Sequence, residues 1–163
     1  MNLCRDAEAS GSLEPDFTQC VWTLETLEIT QQLGQHLARH LPRGSILLLQ
    51  GELGAGKTSL VQGLAQACGI TEPITSPTFA LAQHYPDGNP PLVHLDLYRL
   101  EGAGSADELF LQEEEEARAI GALMAVEWPE RLRLALPEAW RLELSYLKTG
   151  RRAQLTPPKN AST

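Results

Sequence analysis

Short apolar runs alternate along the chain with segments of helical period, beginning with a strand and a helix near the N-terminus. Residues 20–24 predict a strand. Thr26 then has the residue type and position of a helix cap, before leucines that recur along one helical face. Pro42 and Gly44 end that pattern, so we expect a first strand followed by a first helix.

The next segment has the signature of a buried parallel strand joined to a helix. Residues 45–50 form an almost unbroken apolar run, as in strands covered on both faces. Residues 57–68 carry apolar side chains at helical spacing, and Gly69 follows where a left-handed cap belongs. Strand and helix together predict half of a βαβ unit.

The second half of the chain predicts a hairpin, another helix and two further strands. Residues 79–85 and 92–97 flank a turn-rich loop, and Ser105 with Glu108 matches a capping box at the start of a helix. The apolar run 122–126 predicts a buried strand. The alternation from Trp140 to Tyr146 predicts a strand with one solvated face.

The length of the chain favours one domain with a flexible segment at each end. It has 163 residues, 42% of them hydrophobic and 21% charged, which is a globular composition. We expect a flexible segment at 1–19, a domain at 20–155 and a flexible tail at 156–163, because both ends lack a sustained apolar period.

Net charge and cysteine content limit the possible partners and compartment. The net charge of −8 is opposite in sign to that of a protein that binds nucleic acid phosphates unaided. No apolar stretch approaches the length of a membrane helix, so we expect no membrane association. Three cysteines without a CxxC pair favour reduced thiols and a cytoplasmic location.

A phosphate-binding loop is the strongest chemical signal in the sequence. Residues 51–58 satisfy G-x-x-x-x-G-K-T between a predicted buried strand and a predicted helix. Lys57 would reach the β and γ phosphates of ATP, and the Thr58 hydroxyl would bind Mg²⁺. The expected nucleotide-binding residues of this segment are Gly51, Gly54, Ala55, Gly56, Lys57, Thr58 and Ser59. The fold class that follows is α/β, a three-layer P-loop NTPase type with a mainly parallel sheet flanked by helices.

Such a loop requires carboxylates at the ends of neighbouring strands. Asp96 ends one predicted strand and Glu127 ends another, and on residue pattern alone either could be the acid that holds the metal. Lys57, Asp96 and Glu127 are therefore the candidate catalytic residues.

Four motifs in order give the chain a family resemblance. They are the phosphate loop, Ser-Pro-Thr-Phe at 76–79, His-x-Asp-x-Tyr-Arg-Leu at 94–100 and Glu-Trp-Pro-Glu at 127–130. In these motifs the chain resembles the TsaE family of small bacterial ATPases that act in tRNA threonylcarbamoyladenosine (t6A) biosynthesis. The similarity extends over about residues 22–151.

The resemblance implies roles for particular residues. Thr58 and Glu127 would coordinate Mg²⁺, and Asp96 would assist hydrolysis or metal positioning. Ser76 and Thr78 would belong to a switch segment that senses the γ-phosphate, although a capping loop is an alternative. Arg151 would contact the nucleotide or be a solvated charge, and Trp128 would be either a core anchor or a platform for a partner.

Two further groups of polar residues favour ordinary structural roles. His84 and His94 lack the ligand spacing of a zinc site, so we expect surface or core positions for them. The run 113–116 consists of four glutamates and predicts a solvated helix face, with docking of a basic partner as the alternative.

Taken together, these features predict a Mg²⁺-dependent ATPase that serves as an accessory factor in t6A modification. The resemblance implies the TsaB and TsaD proteins as partners, with tRNA contacted only through that complex. A small-molecule P-loop kinase is one alternative, but the sequence lacks an arginine-rich lid. A nucleotide-binding switch without significant hydrolysis is the other, but no guanine-specifying string is present.

Overall fold

The chain folds as an α/β protein in a computed structural model, which describes residues 20–75, 81–100, 102 and 104–159. The strands are β1 (Val21–Leu24), β2 (Ile46–Gln50), β3 (Ala82–Tyr85), β4 (Leu92–Asp96), β5 (Leu123–Glu127), β6 (Trp140–Tyr146) and β7 (Arg151–Thr156). The α-helices are α1 (Leu27–His40), α2 (Lys57–Ala67) and α3 (Ser105–Ile120), and a short 3₁₀ helix spans Pro129–Arg131.

All of these strands lie in one sheet of order β1-β7-β6-β2-β5-β4-β3. Its centre, from β6 through β2 and β5 to β4, is parallel, whereas the pairs β1·β7, β6·β7 and β3·β4 are antiparallel. The predicted parallel sheet is thus confirmed in the centre and gives way to antiparallel pairing at both edges. The predicted hairpin of β3 and β4 is one of these edges.

Side chains of the central strands alternate between two hydrophobic cores. In β2, Leu47 and Leu49 join the core beneath α1 and α2, whereas Ile46 and Leu48 join the core beneath α3. Helices therefore cover both faces of the sheet and make three layers. Central strands buried on both faces have the near-continuous apolar runs seen in the sequence.

Helices α1 and α2 approach so closely that glycine is required on both. A Cβ atom added to Gly34 would lie 2.2 Å from the carbonyl oxygen of Leu60, and one added to Gly63 would lie 2.0 Å from that of Gln31. A hydrogen bond of 3.0 Å between the Gln31 and Gln62 side-chain amides borders this contact. The backbone contact fixes α2, and with it the loop that precedes α2.

Helix caps agree with the sequence at one site and differ at another. Thr26 caps α1 as predicted, its hydroxyl accepting a hydrogen bond of 3.2 Å from the Ile29 N–H. The predicted capping box at Ser105 is wrong. Gly104, in a left-handed conformation, precedes α3, and Ser105 is already the first helical residue. The Ser105 N–H donates to the Gly102 carbonyl oxygen in a turn that leads into α3, and Gly104 adopts its positive φ there without strain.

Two other expectations need correction. Strand β7 was not predicted as a strand, although its exposed and buried residues alternate, and it extends to Thr156. The expectation of three reduced thiols is wrong for Cys20, which is disulfide-bonded, whereas Cys68 is a free buried thiol. An odd number of cysteines leaves room for one bonded pair beside a free thiol.

The predicted flexible segment 1–19 lies outside the described residues. Part of the predicted tail is described, and there the Lys159 N–H donates to the Pro137 carbonyl oxygen at 2.8 Å. Among the described residues, none of the helices has the length and apolar character needed to cross a membrane.

Candidate functional site

The loop between β2 and α2 turns on glycines and leaves the start of the helix open. Gly54 and Gly56 have φ values of 78° and 106°, a region that side chains disfavour. Gly56 is the residue before α2 and provides no side-chain cap for the first turn. The first N–H groups of a helix have no intrahelical partners, and the helix dipole adds positive potential there. This helix end is therefore suited to an anion.

Lys57, the first residue of α2, is held inward rather than exposed. Only 5% of its surface is accessible, and its Nζ donates to the Gly51 carbonyl oxygen at 2.6 Å. The same Nζ lies 3.9 Å from the centre of the Trp128 ring. Burial lowers the pKa of Lys57, while the nearby Glu127, Glu130 and Asp96 carboxylates oppose that shift. The ammonium group is thus desolvated beside acids.

Parallel pairing brings the two candidate acids to one edge of the sheet. Asp96 is the last residue of β4, Glu127 is the last residue of β5, and the two are directly paired in the sheet register. Both side chains are buried. The Asp96 carboxylate accepts a hydrogen bond of 3.0 Å from the Tyr98 N–H, which anchors it at the strand end.

A cavity of about 270 Å³ joins the loop to these acids. Its lining residues are Leu53, Gly54, Lys57, Thr58, Leu81, Asp96, Tyr98, Arg99, Glu127 and Trp128. A hydroxyl, two carboxylates and an ammonium group therefore share one polar cavity at the carboxyl ends of parallel strands. Clefts at that edge of an open α/β sheet are the usual place for ligands.

His94 is a positioned partner of Glu127. Its ring is fully buried in β4, and Nε2 lies 2.6 Å from the Glu127 carboxylate. Because an ionised carboxylate only accepts hydrogen bonds, we assign Nε2 as the donor. The expectation of a core position is confirmed for His94, although its buried Nδ1 has no hydrogen-bond partner among the described residues. The sequence signal was its place two residues before Asp96 on the same strand.

Trp128 combines a strained backbone with a central position. Its φ of 59° and ψ of 50° lie in the left-handed region, which is uncommon for a bulky residue. The ring lines the cavity and packs on Tyr98, with ring centroids 4.7 Å apart. Backbone strain of this kind persists only where the surroundings enforce it. Trp128 is thus both a packing residue and part of the cavity wall.

Two residues of the β6–β7 hairpin hold the loop from outside. The Tyr146 hydroxyl donates to the Leu53 carbonyl oxygen at 2.7 Å, and Arg151 Nη2 donates to that of Gly54 at 3.3 Å. The Arg151 guanidinium also lies 4.3 Å from the centre of the Tyr146 ring. Sequence reasoning singled out Arg151 but missed Tyr146, because an exposed tyrosine at the end of an alternating strand carries no special signal.

The remaining predicted residues have different outcomes. Thr58 lines the cavity, and Ala55, within the loop, is fully buried. Ser59 lies in the first turn of α2. The predicted switch residues Ser76 and Thr78 lie outside the described residues.

A second polar cluster lies away from this cavity, against α3. Glu113 is buried and hydrogen-bonds to His84 of β3, so the predicted solvated face is wrong at Glu113. The apolar neighbours Phe110 and Ala117 explain this, because they turn that side of α3 toward the sheet. Glu115 and Glu116 are exposed as predicted.

Comparison with known proteins points to one family. A family model described as threonylcarbamoyl adenosine biosynthesis protein TsaE matches residues 24–154. The chain is 54% identical over 112 residues to the tRNA threonylcarbamoyladenosine biosynthesis protein TsaE of Synechocystis, covering 67% of this chain and 69% of that one. The protein of the same name from Bacillus subtilis is 34% identical over 132 residues, covering 81% and 80%.

A solved structure has the same architecture. The crystal structure of Bacillus subtilis YdiB superimposes with a TM-score of 0.68 at 30% sequence identity, covering 86% of each chain.

Proposed function

The chain belongs to the TsaE family, and on that premise we propose that it binds and hydrolyses Mg²⁺-ATP as an accessory factor of tRNA t6A biosynthesis. It acts in the cytoplasm with the TsaB and TsaD proteins. The observation that carries the ATP assignment is the meeting of the Lys57 ammonium group, the Thr58 hydroxyl and two strand-end carboxylates in one cavity beneath a glycine loop.

The loop supports nucleotide binding through its backbone. Gly56 opens the first turn of α2, so its N–H groups and the helix dipole favour the phosphates of ATP. Lys57 exchanges its contact with the Gly51 carbonyl oxygen for a phosphate oxygen. The Gly51 contact keeps the ammonium group satisfied in the meantime, which is necessary because an unpaired buried charge is costly.

The residues present fit a magnesium ion by the chemistry of their donor set. Thr58 and Glu127 offer hard oxygen ligands in the same cavity, and Mg²⁺ prefers such ligands with several waters retained. When bound, the ion neutralises charge that develops on the phosphates. His94 orients the Glu127 carboxylate by its hydrogen bond of 2.6 Å. Asp96, anchored by the Tyr98 N–H, would orient the attacking water.

The acidic surface supports a role without direct RNA binding. The net charge of −8 opposes the counterion release that drives association with nucleic acid phosphates. Contact with tRNA therefore depends on the TsaB and TsaD complex. The ATPase is the part of that complex that changes its state with nucleotide.

The test is ATP binding and hydrolysis by the purified full chain, alone and with TsaB and TsaD. Lys57→Ala should weaken ATP binding at least about tenfold, because a charge-assisted phosphate contact is lost. Lys148→Ala, at an exposed position in the turn after β6, is the matched control and should bind as the wild type does.

Circular dichroism of each variant separates lost binding from lost fold. This control is needed because Lys57 is buried, so that truncating it also removes packing. Wild-type affinity in a folded Lys57→Ala protein would refute nucleotide binding at this loop. Absence of hydrolysis in every combination with TsaB and TsaD would refute the ATPase assignment.

A further inference from the structure

A histidine and two glutamates converge between the edge strand β3 and helix α3. The residues are His84, Glu113 and Glu116, and one ligand atom of each lies within 4.8 Å of the others. His84 and Glu116 are exposed, whereas Glu113 is buried. This cluster is separate from the nucleotide cavity, whose lining includes none of the three.

The geometry of the cluster is set by two different elements. Glu113 and Glu116 are three positions apart on α3, so their side chains lie on the same side of the helix. His84 comes from β3 and directs Nε2 at the Glu113 carboxylate. The side chain of Glu113 is only 8% exposed, whereas that of His84 is 46% exposed. The site is thus anchored in the protein and open to solvent on one side.

The charge of the cluster favours a cation. Two carboxylates at this separation repel each other when both are ionised. A divalent ion would neutralise both. The structural alternative is a hydrogen bond between His84 and Glu113 alone, in which Glu116 is an exposed carboxylate of the helix that takes no part.

We propose that His84, Glu113 and Glu116 form a binding site for a divalent transition metal, of which Zn²⁺ is the best match. Imidazole nitrogen and carboxylate oxygen are both ordinary zinc ligands. Zinc–ligand distances near 2.1 Å place tetrahedral ligands about 3.4 Å apart, so small side-chain rotations suffice to close the cluster. Water completes the fourth position from the exposed side.

A metal at this site would link the edge of the sheet to the helix that covers it. Strand β3 pairs with β4 in the described part of the sheet. Leu81, immediately before β3, lines the nucleotide cavity. Metal binding would therefore hold β3, which follows Leu81 of the cavity lining, in place against α3. The site stands independently of the proposed ATPase activity.

The experiment is a calorimetric titration of the chelator-treated full chain with Zn²⁺ at neutral pH. Glu116→Gln should weaken zinc binding at least about tenfold, since even groups that only support metal ligands contribute about that much. His84→Ala should do the same. His40→Ala, which removes an exposed histidine of α1, is the matched control.

Glu116→Gln protects the test against misfolding because Glu116 is exposed. Zinc should raise the thermal midpoint of the wild type and of His40→Ala, but not that of Glu116→Gln. Equal zinc binding and equal thermal shifts in all four proteins would overturn the proposal, and would assign any bound zinc to other groups of the chain.

Discussion

The two faces of the sheet are covered in different ways. On one face α1 and α2 meet at backbone contact, through Gly34 and Gly63. On the other face, α3 shares its core with side chains around the short 3₁₀ helix and buries a glutamate that hydrogen-bonds to a histidine of the edge strand. The first face leaves no space for even a methyl group, whereas the second accommodates a polar pair. Precise placement is thus concentrated on the face that carries α2 and the glycine loop at 51–58.

The largest effect should come from adding a methyl group between α1 and α2, on the face of the sheet that we call the close face. We expect Gly63→Ala to lower the free energy of unfolding by about 3 kcal/mol, because its Cβ would lie 2.0 Å from the Gln31 carbonyl oxygen and the helices must separate. Helix propensity alone would change stability in the opposite direction by about 1 kcal/mol. Urea unfolding measures the difference.

Gln112→Gly is the control on the other face. Gln112 is exposed on α3, so this variant reports the ordinary cost of a helical glycine, about 1 kcal/mol. If Gly63→Ala were as stable as the wild type, the close contact of α1 and α2 would not be a constraint and the contrast between the faces would fail.

The free energy of unfolding should also depend on pH through a histidine of the close face. Burial, with His40 and Arg39 nearby, lowers the pKa of His36 on α1 to about 4 from its ordinary 6.5. Between these two pH values the unfolded chain binds a proton at His36 that the folded chain does not. The free energy that neutral His36 contributes to folding is therefore complete above pH 6.5 and is lost as the pH falls toward 4. We expect a loss of about 2 kcal/mol between pH 7.5 and pH 5.

His36→Gln tests that assignment because glutamine does not titrate. Urea unfolding at several pH values should show a flatter dependence between pH 7.5 and pH 5 for the variant than for the wild type. Parallel curves would mean that other groups produce the acid sensitivity.

The smallest effect should come from making the α3 face apolar. In metal-free buffer, His84→Val alone should cost about 1 to 2 kcal/mol, because it leaves the buried Glu113 carboxylate unpaired. Combining it with Glu113→Leu should bring stability to within about 1 kcal/mol of the wild type, since no orphaned polar group remains. Thermal unfolding of the wild type, the single variant and the double variant measures these differences. A double variant less stable than the single one would show that the pair itself stabilises the face.

Much of the fold was predictable because its centre is governed by burial. Strand β2, the hairpin of β3 and β4, and strand β5 were found from apolar runs and turn residues. The same regularity placed Asp96 and Glu127 at strand ends, and parallel pairing then brings them together. Local patterns predict what depends on the period of one strand or helix.

Other features depend on contacts between residues distant in sequence. Strand β7, which lies between β1 and β6, was missed because polar residues alternate with its apolar ones and it has no continuous apolar run. Tyr146 contacts Leu53, and His84 contacts Glu113, and in neither case does spacing along the chain indicate the partner. The capping box at Ser105 failed because a glycine turn one residue earlier starts the helix.

The position of β7 in the sheet affects the order in which the strands can pair during synthesis. Within the described sheet, β1 pairs with β7 and β7 pairs with β6. Strand β1 is synthesised well before β7, and it can join the sheet only after β7 has been made and has paired with β6. Arg151, the first residue of β7, reaches the Gly54 carbonyl oxygen only after that insertion. During synthesis, the glycine loop at 51–58 therefore gains this outer support only after β7 has left the ribosome.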